Sequence, residues 1–317
     1  MLNFGLRRLL LAVPSLLLIS ATLFGLLHLA PGGPAAVYGA STTLTAEQQE
    51  QIEQQLGLDR PLTVRYVTWL GRVLQADLGS SYRDGRPVTH VIGERLPATL
   101  LLMGTALILG LMIAVPIALI AATTRRRSIR TGVHFFTLLG VSMPTFWTGL
   151  LAILILAGRL GWIPAGGMTT PGGPASVGDL LHHLITPAAV IAILYASRWG
   201  RYLEADVRGV LDEDYVRTAR SKGLPEVRVL LGHVFRNSLI SIITLVALEF
   251  PLMLSGAVVT EVVFSWPGMG RLVTDALTQR DYPVLMGTLV IIAVVVIVAN
   301  LVADFLYSWA DPRVRLS

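Results

Sequence analysis

The chain has 317 residues, 53% hydrophobic and only 14% charged, whereas a soluble domain runs nearer about 25% charged. It contains no cysteine, which excludes a disulfide scaffold, a thiol nucleophile and a thiolate metal site. The net charge of +5 rests almost wholly on arginine; the one lysine, Lys222, precedes Gly223, so no phosphate-cradling G-x-x-x-x-G-K-[ST] loop is present.

A membrane-spanning helix needs about 20 apolar residues to cross about 30 Å of hydrocarbon. Residues 9–30 form the first such run, longer than the core of about 7–15 residues typical of a cleaved signal, and are read as a retained helix. In the following segment, 31–98, Thr45 and Gln48 have capping-box spacing and Gly57 is a helix stop. After Pro61, Leu62, Tyr66, Trp69, Leu70, Val73 and Leu74 recur at helical spacing, which predicts an amphipathic helix against the membrane face or the bundle. Further spans are predicted at 99–123, 135–157, 180–197, 237–260 and 282–303. The fold expected is therefore an all-α integral membrane protein of six spans.

Orientation follows from the basic residues of the connections. Arg7 and Arg8, Arg125, Arg126, Arg127 and Arg130, the basic residues of 198–236, and Arg313 and Arg315 all fall on one side. The short connections 158–179 and 261–281 hold only Arg159, Arg271 and Arg280. Both termini are thus expected in the cytoplasm. The organisation expected is a cytoplasmic N-terminus and first span (1–30), an extracytoplasmic loop with amphipathic helices (31–98), a five-helix core (99–308) that includes a cytoplasmic loop at 198–236, and a cytoplasmic tail (309–317).

The loop 198–236 is the most charged part of the chain. Asp212-Glu213-Asp214 puts negative charge at the positive end of a helix that runs through Lys222 and stops at Gly223. Pro225 then begins a second helix, with apolar Val229, Leu230, Val234 and Phe235. Tyr215, Ala219 and Lys222 share a face by spacing, and small Ala219 allows close approach of a partner. A DNA-binding helix-turn-helix has the same outline. Against it, the loop is tethered to the membrane at both ends and its acidic residues nearly offset its basic ones.

Glu249 is the one carboxylate inside the predicted spans. It either lines a path and attracts a cationic group such as a peptide amino terminus, or fixes helix packing as a protonated or hydrogen-bonded side chain; both readings stand. Pro14, Pro116, Pro144, Pro187 and Pro251 place a proline in each of the first five runs, sites where a helix can kink. Asn300 and Asp304 are read as helix-contact residues. His182 and His183 are adjacent and do not face one site, so no metal site is expected there.

The segment 215–224, with 233–239 downstream, resembles the conserved cytoplasmic loop of binding-protein-dependent ABC importer permeases, more narrowly the dipeptide/oligopeptide/nickel class. The general pattern of that loop is Glu-Ala-Ala, three residues, then Gly. Here Arg217 and Thr218 replace the Glu and first Ala, a departure the peptide class shares, while Ala219 and Gly223 fit. Segments 7–10, 29–32, 56–61, 77–82, 94–99, 144–147, 264–268 and 280–283 resemble the first-permease type of the same class.

The resemblance implies a type I importer permease in a bacterial inner membrane, spanning it several times and without catalytic chemistry of its own. It implies that Tyr215, Ala219, Lys222, Gly223 and Leu224 dock on an ATPase subunit. It also implies a second homologous permease, two ABC ATPases that bind ATP and Mg, and an extracytoplasmic solute-binding protein, with no cofactor, metal or nucleic acid held by this chain. Peptides are the expected cargo; a nickel chelate, glutathione or an opine would use the same machinery. An ion-coupled secondary transporter is disfavoured by the lack of repeats and of several intramembrane charges. An intramembrane protease is disfavoured because Met253 precedes Leu254-Ser255-Gly256 and no paired mid-span carboxylates occur.

Overall fold

The computed structural model describes residues 2–29, 60–173 and 176–310, and the apolar runs among them are helices. In chain order these are α1 (Leu2–Leu29), α2 (Leu62–Leu74), α3 (Val88–Thr123), α4 (Arg127–Ser142), α5 (Thr145–Ala152), α6 (Val177–Leu211), α7 (Asp214–Ser221), α8 (Glu226–Val229), α9 (Arg236–Val263), α10 (Met269–Thr278) and α11 (Tyr282–Ala310). Two π-helical stretches, Ile153–Arg159 and Leu230–Phe235, continue α5 and link α8 to α9. Thr45, Gln48 and Gly57, and Arg313 and Arg315, lie outside the described residues. Among the described residues five helices are long and apolar enough to cross a membrane, or six if the bent pair Arg127–Ser142 and Thr145–Arg159 is one span.

Contacts divide the chain into two units, Met1–Ala98 with Gly268–Val298, and Thr99–Pro267 with Ala299–Ser317. In the first, α2 lies on α1 as its apolar spacing predicts. Ser20 Oγ and Tyr66 OH are 2.8 Å apart, and Phe24 packs edge-on to Tyr66 at 5.5 Å and beside Trp69 at 5.7 Å between ring centroids. A small core gathers Leu78, Val88, Val91 and Ile92 with Met269, Leu272, Ala276, Val284 and Leu285. Gly287 allows this packing, since a Cβ there would fall 2.6 Å from Val88 Cγ1.

In the second unit α6 is the central helix, packed on α4, α5 and α9. Small residues bring the backbones together: a Cβ at Gly110 would fall 2.9 Å from the Trp199 ring, one at Gly200 3.1 Å from Ile117, and one at Gly140 would collide with Ser197 Oγ.

The structure corrects three expected boundaries. The run 135–157 is not one helix: it breaks at Met143-Pro144 with a bend of 101°, because Pro144 sits in extended geometry before α5 and offers no N–H to continue α4. The helix of the fourth span does not stop at 197; α6 continues to Leu211, so the non-helical connection that follows it is shorter than 198–236. The fifth passes 260 to Val263 and thereby includes a second carboxylate, Glu261, which is fully buried and accepts from Thr99 Oγ1 at 2.6 Å.

Candidate functional site

The short helix α7 is held between two capped turns. Asp212 closes α6, Glu213 is the N-cap of α7, and Asp214 lies in its first turn. The acidic triplet is therefore divided between the end of one helix and the start of the next. At the other end Lys222 is the C-cap, and Gly223 takes φ +77°, a left-handed conformation that Gly adopts without the Cβ penalty. Pro225 is the N-cap of α8, as the sequence predicts. Arg220 donates to Glu226 through Nη2 at 2.7 Å and Nε at 3.3 Å, an ion pair across the Gly turn, and that bond raises the Arg220 pKa above its ordinary value.

The two faces of α7 differ in kind. Val216 and Ala219 are buried in a cluster with Val207, Val229 and Val234, and Leu224 packs against its edge. Tyr215, Arg217, Thr218, Ser221, Lys222 and Gly223 are exposed. Ala219 thus lies against the chain's own neighbouring helices, away from the solvent face that holds Tyr215 and Lys222. Its smallness serves close approach within the chain, so of the three residues expected to share a docking face Ala219 is covered while Tyr215 and Lys222 are exposed. Asn237 Nδ2 donates to the Tyr215 hydroxyl at 2.9 Å, tying α7 to α9. Partial burial, with the nearby Glu213 charge next, raises the Tyr215 pKa and keeps the phenol neutral.

Glu249 is not a lone charge. Arg198 Nη2 lies 3.1 Å from its Oε1. The apolar run ends at 197 because Arg198 is charged, but the helix runs on through it. A further buried carboxylate, Glu204, accepts from Arg208 Nη2 at 2.5 Å and has His134 Nε2 at 3.6 Å. Neither it nor Glu261 stood out in the sequence, because the burial that marks them comes from helices distant along the chain.

The two adjacent histidines take part in structural clasps. His182 donates to Trp162 O at 2.8 Å and His183 Nδ1 to Gly167 O at 3.2 Å, while Asp179 accepts from Thr170 N at 2.8 Å and Thr170 Oγ1 at 2.6 Å. Gly167 N donates to Phe264 O at 2.8 Å. These bonds fix the connection before α6. In the first unit, segments 77–82 and 280–283 meet: Asp281 accepts from Ser81 Oγ at 2.5 Å and from Tyr82 N at 3.1 Å.

The comparisons agree with this arrangement. Residues 114–316 match the family of binding-protein-dependent transport system inner membrane components, and residues 1–103 match its N-terminal family. The chain is 42% identical over 310 residues to the oligopeptide transport system permease protein AppB of Bacillus subtilis, covering 98% of each. It is 37% identical over 316 residues to the glutathione transport system permease protein GsiC of Salmonella choleraesuis, covering 99% of each. An inward-facing structure of the MetNI methionine ABC transporter shares the fold with a TM-score of 0.59 at 12% identity, over 70% of this chain and 97% of that one.

A helical chain with five or six apolar spans, an apolar-anchored short helix between two of them and these relatives defines a membrane permease of an ABC importer. The chain belongs to the family of binding-protein-dependent transport system inner membrane components. It is a multi-pass inner-membrane protein and a non-catalytic subunit of a transport system.

Proposed function

We propose that this permease carries peptides, delivered by a solute-binding protein, into the cytoplasm, and that α7 is the surface on which an ATPase subunit docks. The observation that carries the docking assignment is the division of α7 into an apolar face sunk in its own chain and an exposed face of Tyr215, Thr218, Ser221, Lys222 and Gly223. A helix anchored this way moves as one piece with α8 and α9, so a push on the exposed face reaches the spans. Ala219 and Leu224 contribute from the inside, as anchors.

In this reading the bent pair α4 and α5 counts as one of six spans and both termini are cytoplasmic. A second homologous permease completes the path, and two partner ATPases bind ATP and Mg. Their closure draws the docking helices together and turns the cavity outward; hydrolysis resets it. Peptide cargo is supported by the high identity to AppB along the whole chain. The likeness to GsiC supports glutathione as the second reading.

The test is purification through a tag on this chain. The expected result is co-purification of ATPase subunits whose ATP hydrolysis rises when peptide-loaded solute-binding protein is added. A preparation that brings no ATPase overturns the docking role. Stimulation by glutathione-loaded but not by peptide-loaded protein selects the second reading.

A further inference from the structure

Arg198 in α6 and Glu249 in α9 carry opposite charges within two apolar spans, 3.1 Å apart between Nη2 and Oε1. The pair is lopsided. The Glu249 side chain is 19% exposed and that of Arg198 43%, and Glu249 Oε2 is buried without a hydrogen-bond partner among the described residues. A buried acceptor left without a donor is uncommon in a folded protein and calls for an explanation. Tyr195 holds the guanidinium from one side, its ring centroid 5.9 Å from Cζ.

The pair also heads a polar seam between the same two helices. Ser241 Oγ donates to Asp206 Oδ1 at 2.7 Å, and Asp206 Oδ2 is again buried without a partner among the described residues. Asn237 then reaches Tyr215 of α7. On α9 the positions 249, 241 and 237 are separated by about 12 and 6 Å at 1.5 Å per residue. Beside the seam, α6 exposes Arg198, Arg201, Tyr202 and Ala205 along one face. Such charges avoid lipid tails and face a wet cavity or another protein.

We propose that the Arg198–Glu249 pair is a counter-charge station for a ligand bearing a free ammonium and a carboxylate. The ammonium displaces Arg198 from Glu249, whose carboxylate turns out to meet it, and leaves Arg198 to hold the ligand's carboxylate. This rests on the peptide-import reading and extends it to a site. Without ligand the station is electrically neutral, so a simple ion of either sign gains little there. A ligand carrying both charges gains at both residues.

The chain has no cysteine, so Ala205→Cys gives it a single thiol on the same exposed face of α6, two turns or about 10 Å along the helix from Arg198. The complete transporter with its solute-binding protein is reconstituted in liposomes, exposed to a maleimide, and labelling is read on this chain's gel band. Trialanine is expected to slow labelling several-fold, N-acetyl-trialanine is not, and Glu249→Gln abolishes the protection by trialanine. The Arg198→Gln, Glu249→Gln double variant, which removes both charges together, is expected to assemble and to show no protection either. Equal protection by the two ligands, protection unchanged in Glu249→Gln, or no protection at all overturns the station. If the assembly imports trialanine with ATP and gives such a result, the station alone falls. If it imports no trialanine, the cargo reading falls and the station falls with it.

Discussion

Asp281 holds Ser81 and the backbone of Tyr82 from across 200 residues of sequence, with its carboxylate buried between them. A buried carboxylate is stable only where donors replace water, and here a hydroxyl and a backbone N–H do so. The bond joins the loop before α3 to the turn before α11, where a Cβ at Gly79 would fall 3.8 Å from Pro283 Cβ. Asp281→Ala leaves a buried hydroxyl and a part-buried N–H short of an acceptor, so it is expected to destabilise the protein by about 2–3 kcal/mol. Ser81→Ala, which removes one donor, is expected to cost about 1–2 kcal/mol. Thermal unfolding of the purified complex in detergent checks the order; an Asp281→Ala protein as stable as Ser81→Ala contradicts it.

Gly287 makes a sharper steric prediction in the same unit. A Cβ at this position meets Val88 Cγ1 at 2.6 Å and Leu78 Cδ1 at 3.4 Å, and Val88 is itself fully buried. Gly287→Ala must therefore displace a packed side chain, an overpacking cost of about 1–3 kcal/mol. Gly104, which meets nothing within 4 Å, provides the comparison, and Gly104→Ala is expected to leave the melting temperature unchanged or slightly raised. Parallel melts of the two variants decide the point.

What the sequence reveals follows the range of the forces involved. The ends of α7 and the start of α8 were legible because Gly223 and Pro225 act on their own backbone. The helix after Pro61 was legible because its spacing is local. The pairing of Arg198 was hidden because a hydropathy count treats an arginine as the end of a span, while its counter-ion Glu249 lies in another helix. The bend at Pro144 was foreseen as a kink site but not as a 101° break, because hydropathy is indifferent to chain direction. The inward turn of Ala219 was invisible for a related reason: Val207, Val229 and Val234, which bury it, flank α7 on both sides along the chain, and spacing within α7 alone cannot show which face they cover.

Gly223 separates a conformational requirement from a steric one. Its φ of +77° disfavours a side chain, yet a Cβ there meets nothing within 4 Å. Gly223→Val is thus expected to cost about 1–2 kcal/mol through the backbone alone, and relief of that strain tilts α7 relative to α8. The expected readout is an assembled complex whose ATP hydrolysis no longer rises with loaded solute-binding protein. Full stimulation in this variant would remove the turn from the coupling route.

The two faces of α7 predict opposite outcomes for neighbouring substitutions. Ala219 is 5% exposed and Val216 fully buried, so Ala219→Leu inserts volume into a closed cluster and is expected to destabilise by about 1–3 kcal/mol. Tyr215 is 42% exposed, and its hydroxyl bond to Asn237 is solvent-accessible, so Tyr215→Ala is expected to change stability by no more than about 0.5–1 kcal/mol. If the exposed face is the docking surface, Tyr215→Ala with Lys222→Ala releases the ATPase from the membrane fraction at unchanged permease stability. Ala219→Leu instead lowers the melting temperature first and loses ATPase in proportion. Measuring ATPase retention against melting temperature for these variants separates the faces. An Ala219→Leu protein of unaltered stability that has lost its ATPase would put Ala219 back on the partner side.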